Sequence, residues 1–425
     1  MENAHTMNDL RQMQSLPLSI KIRMTEQRIR DWVNEFGQDG VYVSFSGGKD
    51  STVLLDIVRN RMGLKDIPAV FCDTGLEYPE IRDFVKTFDN VVWVKPKMTF
   101  KQVIEKYGYP FFSKETAETV DGARKYLRKV AEHETILTDR QTDRQTDSRI
   151  TGSWCMADML CVDRRINKDN LEYQQLKMGN IPKLAYKFEY EKLIDVGKYA
   201  DIVKNANVRL KILTGTLQHK EKGQLTGEIS NRYNKKRYLF MIDAPFEISS
   251  RCCSVMKKAP MKQYHKETGR NAITAQMADE SMLRTSQWIR YGCNGFQMKY
   301  PISNPMSFWT EQDVLRYIKE NNIPICSVYG EIVPDMPDEC DGQISIEDLG
   351  LMPDNRKLKT TGCNRTGCMF CGFGCHMKDD DRFQRMKTTH PKQYDYIMRP
   401  KEKGGLNYKE IIDWINEHGG FNIKY

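Results

Sequence analysis

Two groups of residues have the types and spacing to do chemistry. The first is the hexapeptide SGGKDS, Ser46, Gly47, Gly48, Lys49, Asp50 and Ser51, set between an apolar run and a helical pattern. Its glycines let the backbone turn and approach a ligand, while the helix start offers unpaired N–H groups and the positive end of a dipole. An anion belongs there, a phosphate first of all. The hydroxyls of Ser46 and Ser51 add hydrogen bonds, Lys49 a point charge, and Asp50 a carboxylate for magnesium or for positioning the loop. The spacing GxxxxGK[ST] of a Walker A loop is absent. A plain glycine turn between core elements is the bland alternative. The second group is TTGCNRTGCMFCGFGC, with Cys363, Cys368, Cys371 and Cys375 interleaved with glycines. Soft thiolates at this density select zinc, copper(I) or an iron–sulfur cluster. These four alone could close a tetrahedral, purely structural zinc site.

The elements around these residues read as α/β. Val41, Tyr42, Val43 and Phe45 form a strand pattern, and Val53, Leu54, Ile57 and Val58 recur at helical spacing. Ile67 to Thr74 is a second apolar run at βαβ distance, which predicts parallel strands and a right-handed crossover. Ligands of open α/β sheets sit beyond the carboxyl ends of strands, so FCDTG, Phe71 to Gly75, brings Asp73 and Thr74 to the crevice of Ser46, with Glu77 joining them. Asp73 as a simple turn residue ahead of Gly75 is the alternative. A helix over Pro79 to Phe88 and a third strand over Val91 to Val94 complete a doubly wound, mostly parallel sheet. Ser19 to Phe36 predicts a leading helix, and Pro305 to Pro324 a helix capped by Thr310. Arg382 to Met398 mixes basic and aromatic residues and reads as an amphipathic helix before a nucleic-acid surface.

The pattern divides the chain into a helical segment (1–40), the first half of a nucleotide-binding domain (41–115), an inserted subdomain (116–243), the second half (244–335) and a cysteine-rich region with C-terminal helices (336–425). Inside the insertion, Val208 to Leu213 and Tyr238 to Ile242 read as strands, and Cys155 and Cys161 as core packing. TDRQTDRQTD, Thr138 to Asp147, has no apolar residue and cannot build a core. Thr-Asp-Arg-Gln is also what the tetranucleotide ACAG encodes when read through three frames. A slippage-prone tract that switches expression is therefore expected, which suits a gene associated with phage or defence.

A net charge of +8 on a chain that is 29% charged permits a polyanionic partner without requiring one. The N-terminus lacks an apolar leader, and no run approaches the roughly eighteen apolar residues of a membrane span, so a cytoplasmic protein without a membrane partner is expected. Twelve cysteines in that setting suggest thiol or metal chemistry over a disulfide framework.

SGGKDS after a strand resembles the pyrophosphate loop of the N-type ATP pyrophosphatases, which share an adenine nucleotide alpha-hydrolase (HUP-type) fold with the phosphoadenylyl sulfate (PAPS) reductases. The resemblance runs over Val41 to about Pro110 and Ala244 to about Met398. The loop GYPFFSKE, Gly108 to Glu115, is similar to the family's substrate-side loop, and NAITAQMADESMLR, Asn271 to Arg284, to its MADES-x-LR segment. That implies a catalytic Arg284 beside the nucleotide or its leaving group, with an ion pair to Glu280 as the alternative. Cys252 and Cys253 with Lys257, Lys258 and Pro260 resemble the CCxxxKxxP segment of cluster-bearing sulfonucleotide reductases. The resemblance thus implies a [4Fe–4S] cluster on Cys252, Cys253, Cys368 and Cys371, with Cys363 or Cys375 either replacing one of the adjacent pair Cys252 and Cys253 or remaining as a sulfur-carrying thiol. A C-terminal ECGxH-type nucleophile is missing unless Cys375, followed by His376, stands in. With the glycine loop intact, the chain looks most like the sulfurtransferase group of DNA phosphorothioation and the tRNA-thiolating enzymes. The expected function is adenylation of an acceptor by ATP and Mg2+ for sulfur transfer, with a nucleic acid as acceptor and a cysteine desulfurase as sulfur source. A PAPS or adenylyl sulfate reductase, and a nucleotide- or redox-sensing module with a structural cluster or zinc, are the alternatives.

Overall fold

The computed structural model describes residues 4–141, 153–154, 184–185, 208–221, 224–335 and 356–425. Cys155, Cys161 and residues 142–147 of the polar repeat lie outside them; Thr138 to Gln141 end the helix Lys114–Gln141. The chain forms two compact units, Met1–Phe100 with Cys253–Phe370, and Lys101–Cys252 with Cys371–Tyr425.

In the first unit, α1 (Met7–Gln14) and α2 (Leu18–Phe36) precede β1 (Val41–Ser44), α3 (Lys49–Asp56), β2 (Ala69–Cys72), α4 (Pro79–Lys86) and β3 (Val91–Val94). Six strands lie in the order Asn294–Gly295, Ile302–Ser303, Asn271–Ile273, β1, β2, β3, all parallel except the first pair. The order reverses beside β1, between Val43↔Ala69 on one side and Val43↔Ile273 on the other. That is the switch point at which such sheets open a ligand crevice. β1 is buried on both faces, as a central parallel strand should be. Its Val41 and Val43, with Phe45 just after it, pack with Val53, Leu54 and Ile57 of the α3 segment, Trp32 of α2 and Trp309 in one core. α3 continues as a π-turn, Ile57–Arg61. The helix Glu311–Glu320 starts at Thr310 through a capping box with Asp313, and Asp313 also takes a 2.6 Å ion pair from buried Lys21.

In the second unit, Phe111–Phe112 pairs in parallel with Gly372–Phe373, and helices Arg382–Thr389, Pro391–Met398 and Tyr408–Gly419 follow. Two sequence expectations fail here. Residues 208–214 are helical, not a strand. The alternation in VRLKIL imitates a strand, yet Leu210 and Leu213, three apart, are the fully buried pair, and that is a helical face. Tyr238 to Ile242 lies in a 3-10 helix, Lys236–Asp243, because a short apolar run without periodicity does not distinguish strand from buried turn. A hairpin of Gln218–Glu221 and Gln224–Ile229 forms instead from the polar stretch between them.

Candidate functional site

In the first unit, the glycine loop leaves β1 and opens α3 as its sequence dictates. Gly47 has φ +70°, and a Cβ there would stand 2.7 Å from Val85 and 2.9 Å from Ile81, so only glycine lets the turn seat on α4. Gly48 precedes α3 as its N-cap in extended conformation. Ser51 ties the loop together: its hydroxyl donates to the Gly48 carbonyl at 2.9 Å, accepts from the Ser46 N–H at 3.1 Å, and meets the Ser46 hydroxyl at 3.0 Å.

A second segment covers the helix start. The Tyr329 hydroxyl accepts from the Lys49 N–H at 3.1 Å and pairs with the Thr366 hydroxyl at 2.6 Å. The Lys49 ammonium is buried; it donates to the Asn364 carbonyl at 3.0 Å and pairs with Glu311 at 3.1 Å. Asp50 keeps 29% of its side chain exposed, and its Oδ1 has no hydrogen-bond partner, only the Lys49 charge at 3.6 Å. Burial raises its carboxyl above the usual range, against the opposing pull of Lys49. Arg284 pairs with Glu280 on its own segment and also feels Arg365 and Asp50; burial and then Arg365 lower its guanidinium. The guanidiniums of Arg284 and Arg365 therefore share one neighbourhood with Asp50, which suits a polyanion held through a cation.

Beside the loop, at the carboxyl ends of β1 and β2, lies a cavity of about 140 Å3 lined by Ser46, Cys72, Glu77, Tyr78, Lys257 and Thr366 among others. Asp73 and Thr74 are buried next to it but engaged locally. The Asp73 carboxylate accepts from the Gly75 N–H and pairs with Arg82 at 3.0 Å, and Thr74 bonds Glu77 at 2.7 Å. Cys72 and Glu77 thus face the cavity. Burial, then Glu77, pushes the Cys72 thiol up to about 12. Burial pulls Lys257 down, but Cys368, Glu77 and Cys253 outweigh it and hold the ammonium up to about 12. Cys253 and Cys368 are therefore both electrostatic neighbours of Lys257. Cys363 is buried, with its N–H on the Val328 carbonyl and Cys326 as an electrostatic neighbour.

In the second unit, Cys252, Cys371 and Cys375 all act on the fully buried Tyr408. Cys375 is 3% exposed, and burial pushes its thiol well above the usual range. His376 meets the Tyr238 hydroxyl at 3.2 Å and packs on Phe112; burial and then Arg237 lower its pKa. Burial thus favours the neutral form of both groups. By donor type the clustered thiols suit a soft metal. Among the described residues, however, no group of three or more Cys, His, Asp or Glu side chains is arranged to hold a metal ion.

Sequence reasoning passed over Tyr329, Asn364, Arg365, Thr366 and Glu311. The glycine loop that Tyr329, Asn364, Arg365 and Glu311 meet is more than 250 residues away, Thr366 is reached through Tyr329, and none sits in a repeating pattern. The only available signal was the position of Asn364 to Thr366 inside the cysteine segment.

No helix among the described residues is long and apolar enough to cross a membrane. The chain is 34% identical over 119 residues to an uncharacterized protein of Methanocaldococcus jannaschii, and 39% identical over 74 residues to a second from the same organism. These alignments span 28% and 15% of the two relatives and 26% and 16% of this chain. A crystal structure of phosphoadenylyl-sulfate (PAPS) reductase from Candida auris, in a phosphate complex, superposes with TM-score 0.30 at 13% identity, over 77% of this chain and 92% of that one. The model of the phosphoadenosine phosphosulfate reductase domain matches residues 40–152 and 189–372, well over half of the sequence and the whole of the glycine-loop site. With its mostly parallel α/β sheet and this match, the chain belongs to the phosphoadenosine phosphosulfate reductase domain family.

Proposed function

We propose that this chain is an ATP pyrophosphatase-type enzyme that adenylates an acceptor for sulfur transfer. Family membership supports an enzyme handling a sulfonucleotide or adenine nucleotide. One observation carries the choice of ATP: the intact loop Ser46 to Ser51 is folded at the start of α3, with a buried Asp50 Oδ1 that has no hydrogen-bond partner among the cations Lys49, Arg284 and Arg365. A reductase substrate brings no pyrophosphate to such a loop. Pyrophosphate would satisfy the helix start, and Mg2+ on Asp50 would neutralise both the carboxylate and the phosphates. The residues then have distinct tasks. Ser51 holds the loop through the Gly48 carbonyl, the Ser46 hydroxyl turns from Ser51 to a phosphate oxygen, Lys49 and Arg284 stabilise charge gathering on the departing pyrophosphate, and Asp50 fixes the metal.

The burial of Cys375, which disfavours a thiolate, weighs against the reductase reading, which needs an accessible thiolate nucleophile. A [4Fe–4S] cluster on Cys252, Cys253, Cys368 and Cys371, with Lys257 balancing thiolate charge, would supply the sulfur chemistry when bound, and a cysteine desulfurase would feed it. Calorimetry tests the loop. Asp50→Ala and Ser46→Ala should weaken ATP far more than AMP, and equal losses for both nucleotides would remove the pyrophosphate role.

A further inference from the structure

Two cavities lie back to back at the carboxyl ends of neighbouring strands in the first unit. Cys72 of β2 and Val94 of β3 are paired in register, and each lines one of them. The shared wall is the π-turn Ser254–Lys258 with the helix Ala259–Thr268. Its residues sort by helical spacing: Lys257 and Met261 face the cavity beside the glycine loop, while Val255, Ala259, Gln263 and Glu267 face the other.

That second cavity holds about 550 Å3. Val94, Met98, Val255, Pro260 and Tyr264 give it a largely apolar wall, with Gln263 and Glu267 as convergent polar groups joined to each other at 2.5 Å. Lys95 and Lys97 also line it; both are exposed, and neither has a carboxylate partner among the described residues. An apolar slot with an exposed amide and carboxylate at its edge and two cations without a carboxylate partner among the described residues suits a ring with a polar edge that carries an anionic group. The volume accommodates a ring and a sugar together. The position beyond β3 obeys the strand-end rule that places the loop itself.

We propose that this cavity binds a nucleotide unit, base in the slot and phosphate on Lys95 and Lys97, as the acceptor of the reaction proposed above. The inference rests on the sulfur-transfer reading for its role, though not for the binding itself. The cavity adjoins the one that would hold the adenylating nucleotide, and its lining includes Ser254, the residue after Cys253.

Calorimetry on the full chain tests it, with the glycine loop saturated by a non-hydrolysable ATP analogue and UMP or CMP as titrant. One further site per chain is expected, salt-sensitive, and weakened about tenfold or more by the double substitution Lys95→Glu with Lys97→Glu. Ala259→Phe, which fills the slot, should abolish it, while undiminished binding of the ATP analogue reports that the variant is folded. Short single-stranded oligonucleotides form the second arm: tighter binding than the monophosphates assigns the unit to a strand, and equal binding to a free nucleotide. No binding in either arm, or binding unmoved by both variants, overturns the proposal. Pyrimidine nucleotide binding without ATP-analogue binding would remove the glycine-loop reading and leave this one standing.

Discussion

Replacing Gly47 and Gly48 one at a time by alanine should separate fold from ligand binding within two adjacent residues. Gly47 sits at φ +70°, and its new Cβ would fall 2.7 Å from Val85 and 2.9 Å from Ile81, both fully buried on α4. A left-handed alanine costs about 1–2 kcal/mol and overpacking a tight core about 1–3 kcal/mol, so Gly47→Ala should destabilise the protein by about 2–5 kcal/mol. Gly48 has φ −79°, where alanine is at ease. Its Cβ would meet only the hydroxyls of Ser46 and Tyr329 at 3.2 Å and Thr366 at 3.3 Å, which can yield by a few tenths of an ångström. Stability should then stay within about 1 kcal/mol, because the stiffer unfolded chain offsets the contact. The methyl nevertheless crowds the helix start, and ATP affinity should fall about tenfold, or ~1.4 kcal/mol. Urea unfolding without ligand and ATP calorimetry give the two readouts. A neutral Gly47→Ala, or a Gly48→Ala that unfolds as readily as Gly47→Ala while binding ATP normally, would refute the reasoning.

Three further outcomes follow from the same site. Burial raises the folded pKa of Asp50 above its ordinary 3.8, so its favourable contribution is fully present below that value and is lost as pH rises through the folded pKa; Asp50→Asn should therefore raise the melting temperature of the ligand-free protein at neutral pH, flatten its fall above pH 3.8 and abolish Mg-ATP binding, and a melting temperature that drops instead would contradict this. Tyr329→Phe leaves the Lys49 N–H and Thr366 hydroxyl without their partner, at a cost of about 1–3 kcal/mol in the ligand-free state, and should tighten ATP relative to wild type because phosphate then replaces the lost acceptor; weaker ATP binding would make Tyr329 a ligand contact. Anaerobically purified protein should carry roughly four iron and four sulfide per chain, whereas one zinc and no sulfide would remove the cluster.

Much of the first unit was legible because its signals are local. The strand at Val91–Val94 and the Thr310 cap are written in a few consecutive residues, and the apolar runs around Val41 and Ala69 have only one parallel arrangement across a helix of that length. The site was legible only in its core. Asp73 was expected at the crevice, but Arg82 and the Gly75 N–H engage its carboxylate, and Cys72, one residue earlier, faces the cavity. Successive side chains along a strand point to opposite faces, so Cys72, the last residue of β2, takes the inward place and Asp73 after it turns to Arg82. The partners of Lys49, at Tyr329, Asn364 and Glu311, come from loops and a helix start brought in by tertiary packing, which no window of sequence encodes. In the insertion, VRLKIL satisfies both periods over six residues, and the burial of Leu210 with Leu213 decides for the helix.

The central claim is cleavage of ATP between its α and β phosphates at the glycine loop, and the direct measurement is the product pattern from anaerobic protein with Mg-ATP, single-stranded nucleic acid, and cysteine with a cysteine desulfurase as sulfur source. AMP and pyrophosphate in equal amounts, lost in Asp50→Ala, are predicted. ADP with inorganic phosphate, or no turnover of ATP beside sulfite release from PAPS with thioredoxin, would contradict it.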